Sequence, residues 1–247
     1  MAGAPLAPAA AAVKRFYAGA HAVDGGAIEL DGRPVRTPAR RALTLPSPAL
    51  AEAIAAEWQA QGESIDPRAM PLTGLANAAI DRVAPDREAF ADALACYGEG
   101  DLLCYRAAAP PRLVERQAQH WDPFLAWARQ RYDVDFIVTS GIVHRPQPTA
   151  TVARLAQAVR ARTAFELAAL APLVTIPGSL VIALALAEGA VGLDEAWTAA
   201  TLDEQWQGEQ WGDDAEAARA LGARRVEFEA ADRFLRLLDA QSPSRRD

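Results

Sequence analysis

The residues of this chain that most directly suggest a chemical role are two tryptophans and a carboxylate, Trp197, Glu204 and Trp211, spaced seven positions apart. Residues 193–212 are predicted to form one continuous helix, and positions seven apart fall nearly on one line along a helix. The Glu204 carboxylate is therefore expected on an apolar stripe between two indole rings. Because a buried, unpaired carboxylate is costly, it requires a cationic partner inside the protein or on another molecule.

Besides simple exposure to solvent, two interpretations of Glu204 remain open from the sequence. In one, it forms an ion pair with an arginine of the following helix; in the other, it is displayed to a partner protein. The candidate arginines are Arg224, Arg225 and Arg233. Trp206 lies about 180° from Trp197 on the predicted helix, so we expect one of these indoles at the surface, where tryptophan is common at binding hot spots. Asp203 and Gln207 could bond a partner's backbone or form a solvated helix face.

A second group of the same residue types lies on an earlier predicted helix, where Glu57 and Trp58 are followed by Gln61. These side chains could also contact a partner protein. Alternatively, Trp58 packs its helix against the N-terminal strands. The sequence leaves both interpretations open for this group.

The usual sequence signatures of an active site or a metal site are absent. Lys14 is the only lysine, which excludes the glycine-rich phosphate loop that ends in Lys-Ser/Thr. The three histidines lack metal-ligand spacing, and neither GxGxxG nor GxSxG is present. A Cys104–His120 nucleophile pair stays open, because such pairs meet in space. We predict no catalytic residue, no cofactor and no metal site, and keep as the alternative a hydrolase whose site is not visible in the sequence.

The composition limits the classes of partner. The formal net charge of −7 disfavours nucleic acids and anionic membranes, both of which need a basic protein face. The aliphatic run over residues 180–187 is far shorter than the roughly 20 residues of a membrane span, and we predict a buried helix there. The first residues lack the basic region of a secretory signal and are expected to form a short disordered leader.

The chain divides into a strand-containing start and a long helical remainder. Ser47 and Pro48 mark the start of the first helix, and a soft boundary follows at residues 62–68, which are rich in turn formers. We predict an N-terminal α/β domain over residues 1–70, with hairpin strands and one helix, and a helical domain over residues 71–247, with an extended segment near 134–148. The predicted strands are 13–23, 27–30, 33–37 and 41–45; the predicted helices are 48–61, 72–83, 86–97, 111–132, 151–170, 179–188, 193–212 and 213–240.

An ordered set of short segments carries a family resemblance. The segments are RFY at 15–17, LDGRPVRTP at 30–38, LAEAIAAEWQAQ at 50–61, MPLTGLANAAID at 70–81, DLLCYRA at 101–107, Gln117 with Trp121-Asp122-Pro123, GSLVIALAL at 178–186 and LDEQWQGEQWG at 202–212. Together they resemble the family of assembly chaperones for the alpha subunit of the F-type ATP synthase catalytic head. Each motif is weak alone, but the ordered set is specific and covers roughly residues 14–240.

The resemblance implies an α+β, mostly helical fold, in which a small N-terminal strand-containing domain precedes an orthogonal helical bundle. It implies no catalysis, because family members hold the free alpha subunit and prevent its aggregation until it meets beta subunits. The family's acidic LDE–tryptophan segment maps onto Asp203, Glu204 and Trp206, and its EW–Q segment maps onto Glu57 and Trp58. The short leader fits a bacterial cytoplasmic member better than a member from the mitochondrial matrix.

These observations combine into one hypothesis for partner binding. Glu204 is expected to pair with an arginine or a cluster of backbone amides at the alpha subunit's beta-facing edge. A chaperone predicts a broad, shallow groove near the last helices, whereas an enzyme predicts a deep pocket with converging polar groups. The predicted partner-binding residues are Trp197, Asp203, Glu204, Trp206, Gln207, Trp211, Glu57 and Trp58.

Overall fold

The computed structural model describes residues 13–141, 144–212 and 214–240. The predicted leader and the predicted helix start at residue 213 lie outside the described residues. Helices make up most of the described chain, and short strands lie mainly near its start. The predicted α+β, mostly helical fold class is therefore confirmed.

Five short strands form two small antiparallel sheets at the start of the described chain. They are β1 (Val13–Lys14), β2 (Ala20–Ala22), β3 (Ile28–Leu30), β4 (Arg33–Pro34) and β5 (Ser64–Ile65). β2, β3 and β4 form a meander, and β1 pairs with β5. The hairpin predicted around Asp31 and Gly32 is confirmed, because these two residues connect β3 to β4.

The single strand predicted over residues 13–23 is wrong, because the structure contains two separate strands there. The Arg15 guanidinium donates hydrogen bonds to the backbone carbonyls of Tyr17 and Ala18 at 3.0 and 2.8 Å. The Asp31 carboxylate accepts from the Ala18 amide at 3.0 Å. Side chains thus occupy the backbone groups that a continuous strand ladder would need.

Helices form the rest of the fold, together with one parallel pair of two-residue strands. The helices are α1 (Pro48–Gln59), α2 (Pro71–Ala78), α3 (Arg87–Ala95), α4 (Pro111–Tyr132), α5 (Thr149–Arg160), α6 (Ala164–Thr175), α7 (Leu180–Ala187), α8 (Leu193–Ala200), α9 (Leu202–Trp211) and α10 (Ala215–Asp239). The strands β6 (Tyr105–Arg106) and β7 (Thr139–Ser140) bring together the segments before and after α4.

α7 forms the centre of the helical core. Its residues from Leu180 to Leu186 are all buried, which confirms the predicted buried helix. The fully buried Asp101 carboxylate lies at its start and accepts hydrogen bonds from the Ser179 hydroxyl and the Val181 amide at 2.8 and 2.9 Å. None of the helices in the described ranges is long and apolar enough to cross a membrane.

α1 connects the N-terminal strands to the helical core. Leu50 and Ile54 are fully buried on its inner face. Ser47 occupies the predicted position before the helix, but its hydroxyl does not cap the helix and instead donates a hydrogen bond to the Leu237 carbonyl at 2.6 Å. The residue thus joins the start of α1 to the end of α10, which a local sequence pattern cannot reveal.

The helix predicted over residues 151–170 is wrong, since the chain breaks between α5 and α6. Thr163 starts α6 with its hydroxyl accepting from the Glu166 amide at 3.2 Å, while the Glu166 carboxylate accepts from the Thr163 amide at 2.8 Å. This reciprocal capping box satisfies two amides at a helix start and so favours a new helix over continuation.

The single helix predicted over residues 193–212 is also wrong, because Thr201 separates α8 from α9 with non-helical backbone angles (φ −117°, ψ 12°). The Trp121 indole nitrogen donates a hydrogen bond to the Ala199 carbonyl at 2.9 Å. In a continuous helix that carbonyl would accept from the Asp203 amide. The Thr201 hydroxyl donates to the Trp197 carbonyl at 2.8 Å, which completes the end of α8.

Candidate functional site

α9 lies at the surface with little apolar anchoring. The structure describes all ten of its residues, and Leu202 is the one buried side chain among them. Trp206 is half-buried, whereas Trp211 at the end of the helix is 88% exposed. Because tryptophan is enriched at binding hot spots, this exposed indole is a candidate contact residue.

An open groove of about 310 Å³ runs beside α9. One wall is formed by α9, and the other is formed by the start of α4 and the β6–β7 pair with their flanking residues. The lining residues are Tyr105, Arg106, Ala107, Ala108, Leu113, Gln117, Gly141, Asp203, Trp206 and Gln207. The structure therefore brings three predicted site residues, Asp203, Trp206 and Gln207, into one groove near the last helices.

A short chain of hydrogen bonds holds α9 against the opposite wall. The buried Gln117 side chain accepts from the Ala107 amide at 2.8 Å and donates to the Asp203 carboxylate at 2.8 Å. Both ends of this amide are thus used, one by the segment after β6 and one by α9. Asp203 is consequently placed by an internal contact rather than left free in solvent.

The remaining carboxylates of α9 pair with arginines of neighbouring helices. Glu204 accepts two hydrogen bonds from the Arg224 guanidinium, at 2.9 and 2.6 Å, so the structural interpretation of Glu204 describes the contact seen here. These hydrogen bonds raise the pKa of Arg224 against the opposing effect of desolvation. Glu209 accepts from Arg116 of α4 at 2.7 Å. Both pairs are partly exposed, and such pairs contribute little to stability.

The predicted stripe of Trp197, Glu204 and Trp211 does not exist, because the break at Thr201 separates its members. Trp197 belongs to α8 and is 8% exposed. Its ring packs edge-to-face against Phe228 at a centroid distance of 5.4 Å. Trp197 is therefore a core residue in the contact between α8 and α10. The other two members of the predicted stripe, Glu204 and Trp211, lie on α9 at the surface.

The second predicted group lies within the body of the protein. The Glu57 carboxylate accepts hydrogen bonds from the Leu72 and Thr73 amides at 2.7 Å and so caps the start of α2. Trp58 packs edge-to-face against Tyr17 at 5.8 Å, and its carbonyl accepts from the Tyr17 hydroxyl. Gln61 donates to the Glu57 carbonyl at 3.1 Å. These contacts correspond to the structural alternative for this group.

The motif Gln117 with Trp121-Asp122 has a positioning role that sequence reasoning did not assign. Gln117 holds α9, Trp121 ends α8, and Asp122 pairs with Arg106 at 2.7 Å. The sequence did indicate that this motif matters, because it is one of the ordered segments that carry the family resemblance. Leu113 on the groove wall could not be predicted in this way, since an apolar residue in a helix is normally expected to pack in the core.

The groove is lined by apolar and polar side chains that can contact another molecule. Its described lining contains no cysteine, serine or histidine. Cys104 lies nearby in sequence but is 1% exposed, and burial raises the pKa of its thiol to about 12, so it remains protonated at neutral pH. Within the described ranges no cluster of three or more His, Cys, Asp or Glu side chains could hold a metal ion.

Comparison with known proteins identifies the relatives of this chain. The model of the family described as ATP12 chaperone protein matches residues 14–129. The protein atp12, mitochondrial, of Schizosaccharomyces pombe is 24% identical over 197 residues, which cover 75% of this chain and 68% of that protein.

Two solved bacterial structures are similar over nearly the whole chain. The crystal structure of Atp12 from Paracoccus denitrificans has a TM-score of 0.87 at 43% identity, covering 92% of this chain and 98% of that one. A putative chaperone from Agrobacterium tumefaciens, Atu1473, has a TM-score of 0.86 at 43% identity, covering 91% and 86%. The matching family and the Agrobacterium tumefaciens protein are both named as chaperones, and the other two relatives carry the name of that family. This chain belongs to the ATP12 chaperone family and acts as a chaperone, not as an enzyme.

Proposed function

We propose that the protein binds the free alpha subunit of the F-type ATP synthase catalytic head and prevents its aggregation before assembly with beta subunits. Family membership supports a chaperone role, and the ordered motifs support this client. A subunit of a ring exposes apolar interface before assembly, and such surface aggregates. A protein that covers this surface reversibly would keep the alpha subunit available.

The single observation that carries the proposal is the open groove beside α9. Its lining combines apolar side chains, such as Leu113 and Trp206, with the amide of Gln207. Small-molecule sites enclose most of their ligand, whereas an open groove suits a segment of another polypeptide. The exposed indole of Trp211 at the end of α9 adds a second aromatic contact.

The electrostatics of α9 favour reversible binding. Glu204 and Glu209 are satisfied by Arg224 and Arg116, so a client does not have to neutralise buried charge. Both pairs are partly exposed, and an arginine or amide of the client can exchange with them at small cost. A complex of modest affinity can then yield to the beta subunit by mass action.

The proposal assigns different roles to the predicted residues. Trp206, Gln207 and Trp211 contact the client directly, and Glu204 contacts it at the rim after exchange with Arg224. Asp203 lines the groove while holding α9 through Gln117. Trp197, Glu57 and Trp58 do not line the groove and stabilise the fold instead, because Trp197 packs on α10, Glu57 caps α2 and Trp58 packs on Tyr17.

The experiment measures light scattering of purified alpha subunit with increasing amounts of this protein, with and without beta subunit. The wild type is expected to suppress aggregation and to release the alpha subunit when beta is added. The variant Trp206→Ala/Trp211→Ala is expected to weaken binding by at least about tenfold. The matched control is Phe16→Ala, since Phe16 is also an exposed aromatic residue, at 71%.

Two outcomes would contradict the proposal. If the wild type leaves alpha-subunit aggregation unchanged, the client assignment is wrong. If the double variant protects the alpha subunit as well as the Phe16 control does, the groove is not the binding surface.

We also propose that the protein works in a bacterial cytoplasm, where the alpha subunit is synthesised. Its similarity to two bacterial proteins at 43% identity supports this location over the mitochondrial matrix. Cell fractionation followed by immunoblotting would test it, and recovery in the membrane or periplasmic fraction would contradict it.

A further inference from the structure

The most basic stretch of this acidic protein is the hairpin that follows β4. Residues 33–41 read RPVRTPARR and contain four arginines and no acid, although the whole chain has a net charge of −7. The arginine hairpin is defined here as residues 36–42, in which Arg36 pairs with Ala42 across the two arms. Its three arginines, Arg36, Arg40 and Arg41, are all exposed.

None of these three guanidinium groups forms an ion pair within the part of the chain that the structure describes. The Asp81 carboxylate does contact the hairpin, but it accepts its hydrogen bonds there from neutral groups. One of its oxygens accepts from the Thr37 hydroxyl at 2.7 Å and the other from the Ala39 amide at 2.9 Å. The arginines are therefore like charges brought together without a contacting counter-ion in the described ranges.

The backbone that presents them is tightly ordered by hydrogen bonds. The Thr37 amide donates to the Arg41 carbonyl at 2.9 Å, and the Arg40 amide donates to the Thr37 carbonyl at 2.8 Å. Arg40 has φ +63°, a left-handed conformation in which glycine or asparagine is cheaper than arginine. An arginine at that position costs stability, and such outliers concentrate at functional sites.

Most of the guanidinium donors remain available. Arg36 uses one nitrogen to donate to the Arg40 carbonyl at 3.0 Å, and Arg41 uses one to donate to the Ile80 carbonyl at 2.6 Å. A guanidinium has five N–H donors in a planar fork, so the internal contacts orient the groups and leave donors facing solvent. Oriented forks are suited to planar oxyanions, which they bind with two parallel hydrogen bonds.

We propose that the arginine hairpin is a docking site for a carboxylate-rich segment of a partner protein. Charge complementarity carries this choice, because three exposed guanidinium groups, two of them oriented by hydrogen bonds to backbone carbonyls, match a short run of aspartate or glutamate side chains. Nucleic acids and anionic membranes present many regularly spaced charges and are bound by larger basic surfaces, while this hairpin is a small basic area on an acidic protein. The site lies on the N-terminal sheet and is independent of alpha-subunit holding in the groove.

Fluorescence anisotropy of a labelled oligoglutamate peptide, titrated with the full-length protein at low salt, tests the proposal. The wild type is expected to bind the peptide, and Arg36→Gln/Arg40→Gln/Arg41→Gln is expected to lose about tenfold or more in affinity. The matched control changes three other exposed arginines, Arg68→Gln/Arg219→Gln/Arg233→Gln, and so alters the net charge equally. This control is expected to bind the peptide like the wild type.

A second variant distinguishes loss of peptide binding from loss of folding. Arg36→Gln/Arg40→Gly keeps the Arg41 contact with Ile80 and relieves the positive φ at position 40, so it should melt no earlier than the wild type while still losing peptide affinity. Equal losses in the hairpin and control triple variants would overturn the proposal. Tighter binding of duplex DNA or of phosphatidylserine vesicles than of the peptide, abolished by the same hairpin variant, would also overturn it.

Discussion

Helices α1 and α9 both carry a glutamate, a tryptophan and a glutamine within a few residues, yet the two groups are used in opposite ways. In α1, Glu57 caps another helix and Trp58 packs on the N-terminal strands. In α9, Glu204 pairs with an arginine at the surface and Trp206 lines an open groove. The same residue types thus build the body in one place and lie at the surface in the other, where we propose that they contact a client.

The difference arises from what lies next to each helix. α1 packs against the sheet and α2, and the Glu57 carboxylate at this contact accepts hydrogen bonds from the Leu72 and Thr73 amides. α9 has one buried side chain, Leu202, and its polar groups can use either protein or water. Residue composition alone therefore does not distinguish an internal helix from a surface helix, whereas the residues that cover each helix do.

The largest expected effect comes from Asp101, the buried carboxylate of the body. Burial raises its pKa from 3.8 to about 6, against the opposing hydrogen bonds from Val181, Ser179 and Leu103. A raised pKa means that the folded state binds the Asp101 proton more tightly than the unfolded state does. Protonation of Asp101 therefore contributes stability that is fully present below about pH 4 and is lost as the pH rises through about 6. The shift corresponds to roughly 3 kcal/mol.

This contribution is checked by measuring the free energy of unfolding in urea between pH 4 and pH 7 for the wild type and for Asp101→Asn. The difference between the two proteins removes the contribution of the other titrating groups. The stability of the wild type is expected to fall more steeply with pH than that of the variant. Parallel pH profiles for the two proteins would show that Asp101 is not a buried titrating group.

The next effect concerns Glu57 in α1. Glu57→Ala removes the acceptor of two α2 amides and the Thr73 hydroxyl, and is expected to destabilise the protein by about 2 kcal/mol. Chemical denaturation measures the change, and Glu204→Ala is the matched control, with an expected loss below about 1 kcal/mol. Equal losses at the two positions would remove the contrast between the helices.

A smaller effect is expected at Gln117, which connects α9 to the opposite groove wall. Gln117→Leu removes the bonds to Ala107 and Asp203 and should lower global stability by about 1 kcal/mol. Hydrogen exchange of α9 amides is expected to accelerate by more than that of α1 amides, because α9 has little apolar anchoring. Uniform acceleration in both helices would mean that α9 is as firmly attached as the body.

The smallest effect on stability is expected for Glu204→Lys, which replaces an exposed ion pair with a repulsive contact to Arg224. We expect a change below about 1 kcal/mol in the free energy of unfolding, measured by thermal melting, together with loss of alpha-subunit binding. If the variant instead unfolds, Glu204 is a structural residue like Glu57, and the contrast between α1 and α9 is wrong.

Local signals predicted much of the fold. Pro48 after Ser47 located the start of α1, and the uninterrupted aliphatic run located the buried α7. The α4 boundaries, Pro111 and Tyr132, also match the prediction. These features depend on neighbouring residues in the chain, through the restricted φ of proline and the burial of apolar side chains.

The site was predicted less completely, because its geometry depends on distant contacts. The end of α8 depends on Trp121, which is 78 residues away from the carbonyl that it contacts. That contact separates Trp197 from Trp211 and turns one predicted stripe into a core residue and a surface residue. No periodicity within 193–212 contains this information.

The sequence by itself determined the family, the mainly helical class and the acidic, tryptophan-bearing segment, since these follow from ordered motifs and from the spacing of apolar residues. Only the tertiary structure decided which glutamate is internal and which is exposed. The physical reason is that a polar group takes whichever partner its surroundings provide. Those surroundings are set by packing between segments far apart in the chain, such as α4 with α8 and α9.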